Sequence, residues 1–335
     1  MRLSVLDQSP IRDGGTATQA IRETIELAKA ADRLGCSRYW LAEHHNSGGL
    51  ASATPEVLIG AVASQTEQIR VGSGGVMLTH YSPLKVAESF RMLEALHPGR
   101  IDLGVGRAPG SDRLTAAALT HRLSPPTIDH YPDQLMELYG YLSNSLPEDH
   151  AFAKIRAMPQ VDTMPELWLL GSSDASAQYA AELGWSFCFA HFINQHGGPE
   201  AVRIYRERFE PSPFLGEPRV SLAISATVAD TTEEAERLSW SRWVWRLAGG
   251  RGPFRGIPTP EQAQAFPLSE PEREYIEFAK ANSIYGNPAR VKAKIEAMAE
   301  EFGAEDVVLV TITHDFAARV RSYELLAEAF GLRRD

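Results

Sequence analysis

The sequence predicts an α/β chain that closes as a (βα)8 barrel, with one insertion before its last strand. Eight β-type runs can be counted, each followed by a stretch with apolar residues at helical spacing. Between Val71 and Asp112, two of these runs end in glycine-rich polar loops with a helix between them. Gly72, Gly74 and Gly75 close the first, and Gly106-Arg107-Ala108-Pro109-Gly110 closes the second. Regular alternation implies parallel strands, and eight strand–helix pairs favour closure over an open, doubly wound sheet. In such folds active sites gather at the carboxyl ends of strands, where both glycine clusters fall.

Arg2–Asp7 reads as the first strand. Ala17–Leu34 follows as a helix with Ile21, Ile25, Leu27, Ala28, Ala31 and Leu34 on one face, and Gly35 stops it. Arg38–Ala42 is the next β-run. Val57–Ala63 reads as helix, Ile69–Gly75 as strand, Leu84–Leu96 as helix and Arg100–Gly104 as strand. A loop-rich stretch through Ser124-Pro125-Pro126 interrupts the order. It resumes with helix Tyr131–Leu142, strand Leu167–Leu170, helix Ala175–Leu183, strand Ser186–Ala190, helix Pro199–Phe209, strand Val220–Thr227 and helix Thr232–Leu247. Residues 249–285 break the rhythm and read as an insertion at the barrel mouth. Helix Pro288–Phe302, strand Val307–Ile312 and helix Ala317–Ala329 then complete a single domain over 1–335.

With 335 residues, 44% of them hydrophobic and 23% charged, the chain has an ordinary globular composition. A formal charge of −10 and the lack of a dense Lys/Arg block argue against nucleic acid as a partner. The opening apolar run is too short for a signal peptide, and no run of roughly 18 apolar residues suggests a membrane span, so a cytoplasmic enzyme is expected. Cys36 and Cys188 lack metal-ligand spacing and read as buried free thiols.

Several motifs bear on chemistry. Glu43-His44-His45 invites a metal, but neighbouring strand residues face opposite ways, so two adjacent imidazoles do not easily share an ion and no metal is expected. Gly74-Gly75 can be a tight turn or a place where a ligand meets the backbone. Gly104-Val105-Gly106-Arg107-Ala108-Pro109-Gly110 departs from a dinucleotide fingerprint, because its third glycine comes late and Pro109 stands where a helix should begin. Arg107, just past a strand end, can grip a phosphate with two parallel bonds or remain a surface arginine. Gly171-Ser172-Ser173-Asp174-Ala175-Ser176 precedes an alanine-rich helix, where hydroxyls and first-turn N–H groups can cap the helix, hold an anion, or do both. Asp174 would repel a phosphate unless it points away or caps. Trp240, Trp243 and Trp245 share a helix whose spacing indicates core or a subunit interface, with a substrate-lining role for Trp243 as the rival reading.

Four pieces of the chain, in order, carry a family likeness: Trp40-Leu41-Ala42-Glu43-His44-His45-Asn46; Val71-Gly72-Ser73-Gly74-Gly75-Val76-Met77-Leu78; Pro98-Gly99-Arg100 with Gly104-Val105-Gly106-Arg107; and Leu169-Leu170-Gly171-Ser172-Ser173 with Ser176. In these the chain resembles the flavin-dependent luciferase-like monooxygenases, TIM barrels related to bacterial luciferase. The resemblance implies that reduced FMN is the cosubstrate, that oxygen is used on a small organic substrate, and that a separate flavin reductase supplies the FMN. It places His44 beside the flavin ring as a catalytic residue, where a structural histidine is the alternative. It also sets the Gly74, Gly75 and Val76 backbone against the ring, often with a non-prolyl cis peptide, and gives Arg107, Gly171, Ser172, Ser173 and Ser176 to the phosphate. A homodimer through the helices Val57–Ala63 and Leu84–Leu96 is implied too, with Ala53, Gly60, Ala61 and Ala63 allowing close approach.

Gly106 stands where luciferases carry a cysteine, and the lid region is short, so light emission is not expected. Residues 113–160 and 249–285 fall outside the likeness and would set substrate choice. Two other readings remain: a deazaflavin-dependent enzyme that transfers hydride, and a flavin-binding subunit without catalysis. Retention of His44, Arg107 and the serines argues against the latter.

Overall fold

The computed structural model describes residues 1–108, 110–121, 130–249 and 254–333. Pro109 and Ser124-Pro125-Pro126 lie outside the described residues. The strands are β1 (Arg2–Asp7), β2 (Arg38–Leu41), β3 (Arg70–Met77), β4 (Ile101–Gly106), β5 (Glu166–Gly171), β6 (Ser186–Ala190), β7 (Val220–Val228), β8 (Ile284–Gly286) and β9 (Asp306–Val310). β1 to β7 pair in chain order, and β9 closes the ring between β7 and β1, every pairing being parallel. The result is a closed (βα)8 barrel, as the alternation predicts. β8 stands outside the ring and, among the described residues, pairs only with the end of β7, through Ala226–Val228.

Helices α1 (Ala17–Arg33), α2 (Pro55–Ala63), α3 (Pro83–Leu96), α5 (Tyr131–Ser143), α6 (Asp174–Glu182), α7 (Gly198–Glu207), α8 (Thr232–Ala248), α11 (Pro288–Phe302) and α12 (Phe316–Phe330) occupy the expected stretches. Three further helices lie where the sequence reads as loop or broken rhythm: α4 (Arg113–Leu119), α9 (Pro260–Gln264) and α10 (Glu270–Asn282). Their starts are fixed by side chains. Asp112 accepts from the Leu114 and Thr115 N–H groups, while Thr259 with Gln262 and Ser269 with Glu272 form capping boxes.

The barrel interior explains the strand registers. At the amino ends of the strands, Arg38 Nη1 lies 2.6 Å from Asp102 and Nη2 2.9 Å from Glu166, with Nε 3.4 Å from Asp306. Arg70 Nε donates to the other oxygen of Asp102 at 2.7 Å, Trp40 Nε1 donates to Asp102 at 2.9 Å, and Ser4 Oγ donates to Asp306 at 2.8 Å. Burial opposes the Arg38 charge, but the surrounding carboxylates outweigh it and hold its pKa above the usual value.

Above this charged floor, Trp40 and Trp168 meet edge to face with ring centroids 5.2 Å apart. Gly74 faces them: a Cβ there would lie 2.6 Å from Leu6 Cδ1 and 3.0 Å from Trp40 Cβ. Leu6 and the Trp40 Cβ therefore leave little room for a side chain at this position of the neighbouring strand. Outside the ring, the main apolar core packs the opposite strand faces against the helices. Cys36 and Cys188 are buried free thiols, as expected.

Candidate active site at the barrel mouth

The loop after β2 is anchored at both ends. Ala42 N–H donates to the Asp7 carbonyl at 2.9 Å, His44 N–H donates to the Ser52 carbonyl at 2.8 Å, and the Ser52 hydroxyl donates to the Ala42 carbonyl at 2.6 Å. Glu43, almost fully buried, ties this loop to the end of β3. It accepts from Met77 N–H at 2.9 Å and from the Tyr81 hydroxyl at 2.7 Å, and His45 Nε2 lies 2.7 Å from it. Because β2 ends at Leu41, strand alternation no longer governs residues 43–45. The expectation that His44 and His45 face opposite ways fails, and both line the same cavity at the mouth.

That cavity holds about 920 Å³. Its walls are the loop His44–Leu50, Phe192 and Ile193 beyond β6, Ile312 beyond β9, Arg242, Trp245 and Arg246 of α8, and Phe254 with Arg255. His44 presents a buried Nδ1 with no hydrogen-bond partner among the described residues. Burial, aided by the neighbouring His45, pushes the His44 pKa down from 6.5 to about 4. The imidazole is thus neutral near pH 7, able to donate from one nitrogen and accept at the other.

At the end of β3 the Gly74–Gly75 peptide is cis, and the register against β4 shifts between Gly74 and Val76. The tight-turn reading is overturned, since the strand bulges there and runs on to Met77. A Cβ on Gly75 would lie 2.7 Å from the Gly104 carbonyl oxygen, so the backbones of β3 and β4 approach closely at this point. Val76 itself is buried.

Pairing of Gly106 with Leu170 sets the end of β4 beside the end of β5. Arg107 and Ser176 therefore line one narrow crevice with Tyr131 and Tyr179, a space of about 10 Å³ that is separate from the large cavity. Arg107 has no hydrogen bond or ion pair among the described residues, and the buried Tyr131 hydroxyl also lacks a partner. Ser173 is the N-cap of α6, and Asp174 is exposed in its first turn. The Ser176 hydroxyl donates to the Ser173 carbonyl at 2.6 Å, so it must turn to donate to an anion. The Ser172 carbonyl accepts from Asn194 Nδ2 at 3.0 Å.

The structure thus gathers Arg107 and Ser176, with Gly171, Ser172 and Ser173 on the adjoining strand end, and sets His44 in the neighbouring cavity. Tyr131 and Tyr179, and the arginines of the large cavity, escaped the sequence reading. Of the tryptophans, Trp243 donates from Nε1 to Ser283 Oγ at 2.9 Å within a side core, whereas Trp245 faces the cavity. The aromatic spacing of α8 was visible in sequence; which ring faces the cavity was not.

The family described as luciferase-like monooxygenase matches residues 1–306. The chain belongs to that family. An N-acetyl-S-alkylcysteine monooxygenase of Bacillus subtilis (strain 168) is 39% identical over 98% of this chain and 98% of its own length. The oxygenase component of a flavin-dependent trigonelline monooxygenase from Acinetobacter baylyi (strain ATCC 33305 / BD413 / ADP1) is 26% identical over 70% of this chain and 67% of its own length. The crystal structure of apo-MsnO8 superimposes with a TM-score of 0.90 at 39% identity, covering 99% of this chain and 98% of that one. Among the described residues no helix is long and apolar enough to cross a membrane.

The low pKa of His44 has a measurable consequence. Its folded value lies below the unfolded one, so the unfolded chain binds more protons between about pH 6.5 and 4. Stability from this group is complete above that window and is lost as pH falls through it. Denaturant unfolding at pH 7.5 and 5 should show a His44→Gln variant losing about 2 kcal/mol less than the parent chain over that interval. Equal losses in the two proteins would mean that His44 is not held neutral.

Proposed function

We propose that this chain is the oxygenase of a two-component flavin system, which takes reduced FMN from a separate flavin reductase and oxygenates a small organic substrate with dioxygen. The carrying observation is the unpaired Arg107 guanidinium beside Ser176 and the partnerless Tyr131 hydroxyl, at adjoining ends of β4 and β5. A cation and hydroxyl groups at such a place suit a phosphate dianion. The names of the relatives support the reaction class, and the term oxygenase component, printed for one of them, supports a separate reductase.

In this reading Arg107 and Ser176 would hold the phosphate, with Gly171, Ser172 and Ser173 beside them. The backbone of Gly74, Gly75 and Val76 would support the ring, and His44 would face it. Reduced FMN supplies two electrons, so that one atom of dioxygen passes to the substrate and the other leaves as water. His44, neutral at the start, would relay a proton by accepting at one ring nitrogen while donating from the other, so that it ends neutral. Phe192, Trp245 and Phe254 would supply apolar surface against water, and Gly249, Phe254 and Arg255 bring the insertion to the cavity wall. Two free buried thiols suit a reducing, cytoplasmic setting.

The same proposal includes a homodimer through α2 and α3. Ala63 is buried in the chain's own core, and a Cβ on Gly60 would touch Leu93 of α3 at 3.4 Å, so these two pack within the chain, while Ala53 and Ala61 are partly exposed. Val57, Met92 and Leu96, which are 70%, 52% and 62% exposed, offer apolar surface on the same helices. Sedimentation at micromolar concentration is expected to show a dimer; a monomer would remove the pairing and leave the flavin site untouched.

Function is tested by titrating the protein with FMN and with a deazaflavin, then following oxygen uptake with reduced FMN. FMN should bind, and Arg107→Ala should weaken it roughly ten- to a hundredfold, the worth of a charge-assisted bond. His44→Ala should spare affinity and lower turnover about 10²–10⁴-fold. Binding of the deazaflavin alone, with no oxygen consumed, would replace this reading by hydride transfer.

A further inference from the structure

The large cavity carries a charge pattern that a flavin ring and a histidine do not account for. Arg242 and Arg246, one turn apart on α8, and Arg255 from the following segment all line it. Among the described lining residues the one carboxylate is Asp112. It is already engaged by the Leu114 and Thr115 N–H groups, the Thr115 hydroxyl at 2.7 Å and Asn46 Nδ2 at 3.1 Å. Around this opening the chain, acidic as a whole at −10, is locally cationic.

Arg242 is the informative member. Its Nε is buried without a hydrogen-bond partner, and its guanidinium has no ion pair among the described residues. Among the buried arginines, Arg38 pairs with Asp102 and Glu166 and Arg319 with Asp7 at 2.7 Å, while Arg91 donates to the carbonyls of Tyr141 and Leu142 at 2.9 Å. Burial and the like charge of Arg246 push the Arg242 pKa down to about 10, still fully charged near neutrality. A half-buried cation with no counter-charge is costly, and the cost is relieved when an anion binds. Phe192, Ile193, Trp245, Phe254 and Ile312 add apolar wall, and Gln8, His44, His45, Asn46 and Ser47 complete the polar side.

We propose that Arg242, supported by Arg246 and Arg255, is the specificity residue of the mouth cavity and selects small organic acids whose carboxylate pairs with it and whose apolar body fills the rest. This inference rests on the oxygenase reading of the same cavity and deepens it by naming the substrate class. Arg107 serves the phosphate in a different opening, which leaves the α8 arginines free for substrate.

The test uses benzoate and its neutral isostere benzamide as probes, with binding followed by calorimetry on the whole chain, both FMN-free and FMN-loaded. Benzoate should bind at least about tenfold tighter than benzamide in both forms. Arg242→Gln should abolish that preference, Arg242→Lys should keep part of it, and Arg246→Gln should reduce it several-fold, which keeps the test available if Arg242→Gln does not fold. Quenching of FMN fluorescence reads flavin binding separately: benzoate preference in a protein that does not bind FMN supports this inference while the flavin reading fails. Equal binding of the two probes, an unchanged preference in a folded Arg242→Gln protein, or displacement of benzoate by FMN would each overturn it, the last by giving the arginines to the flavin.

Discussion

The Arg38 guanidinium at the barrel floor is the interaction on which the other features depend. It reaches carboxylates on β4, β5 and β9, while Trp40 of its own strand and Arg70 of β3 add donors to Asp102, and Ser4 of β1 adds one to Asp306. Six of the eight ring strands therefore contribute to one buried network. A strand slipped by one residue would turn its member outward and leave buried charge unpaired, which costs roughly 3–5 kcal/mol. Register fixed at the floor also fixes where each strand ends at the opposite face. The adjacency of Gly106 with Leu170, and hence of Arg107 with Ser176, follows from it.

The two ends of the barrel handle polar groups in opposite ways. At the floor the charges meet opposite charges: Asp102 takes Arg38, Arg70 and Trp40, and Arg38 Nε, without a hydrogen bond, still lies 3.4 Å from Asp306. At the mouth, His44 Nδ1, the Tyr131 hydroxyl and Arg242 Nε are buried without partners among the described residues. Unsatisfied buried groups each cost about 1–3 kcal/mol. Arg91 Nε and Ser221 Oγ carry that cost inside the fold, whereas the three at the mouth line openings that a ligand can enter. The Glu43 anchor makes this possible by holding the loop after β2 against β3 and Tyr81, so that His44 stays in place without a hydrogen bond of its own ring Nδ1.

Much of the barrel was legible in the sequence because its signal is periodic. Alternating β-runs and helical faces placed all eight ring strands, and the glycines at 72, 74, 75 and 104 marked where neighbouring strands come close. What escaped was local. Pro260 and Pro271 look like breaks, yet both stand in the first turn of a helix, where proline is tolerated, and the Thr259/Gln262 and Ser269/Glu272 capping boxes were there to be read. β8 has three residues, too few for a periodic pattern. The candidate site divides the same way. His44, Arg107 and Ser176 lie beside glycine-marked strand ends, whereas Arg242 and Arg246 sit among the ordinary charges of a long helix and acquire meaning only when α8 is seen to lean over the mouth.

The central claim is that the cation at the β4 end and the imidazole after β2 serve one flavin, while the α8 arginines serve something else. A crystal structure of the chain with FMN bound tests it most directly. The account expects the phosphate against Arg107, Ser176 and Tyr131, and the ring between the Gly74–Val76 backbone and His44. A phosphate seated on Arg242, Arg246 and Arg255, with Arg107 still unengaged, would contradict it.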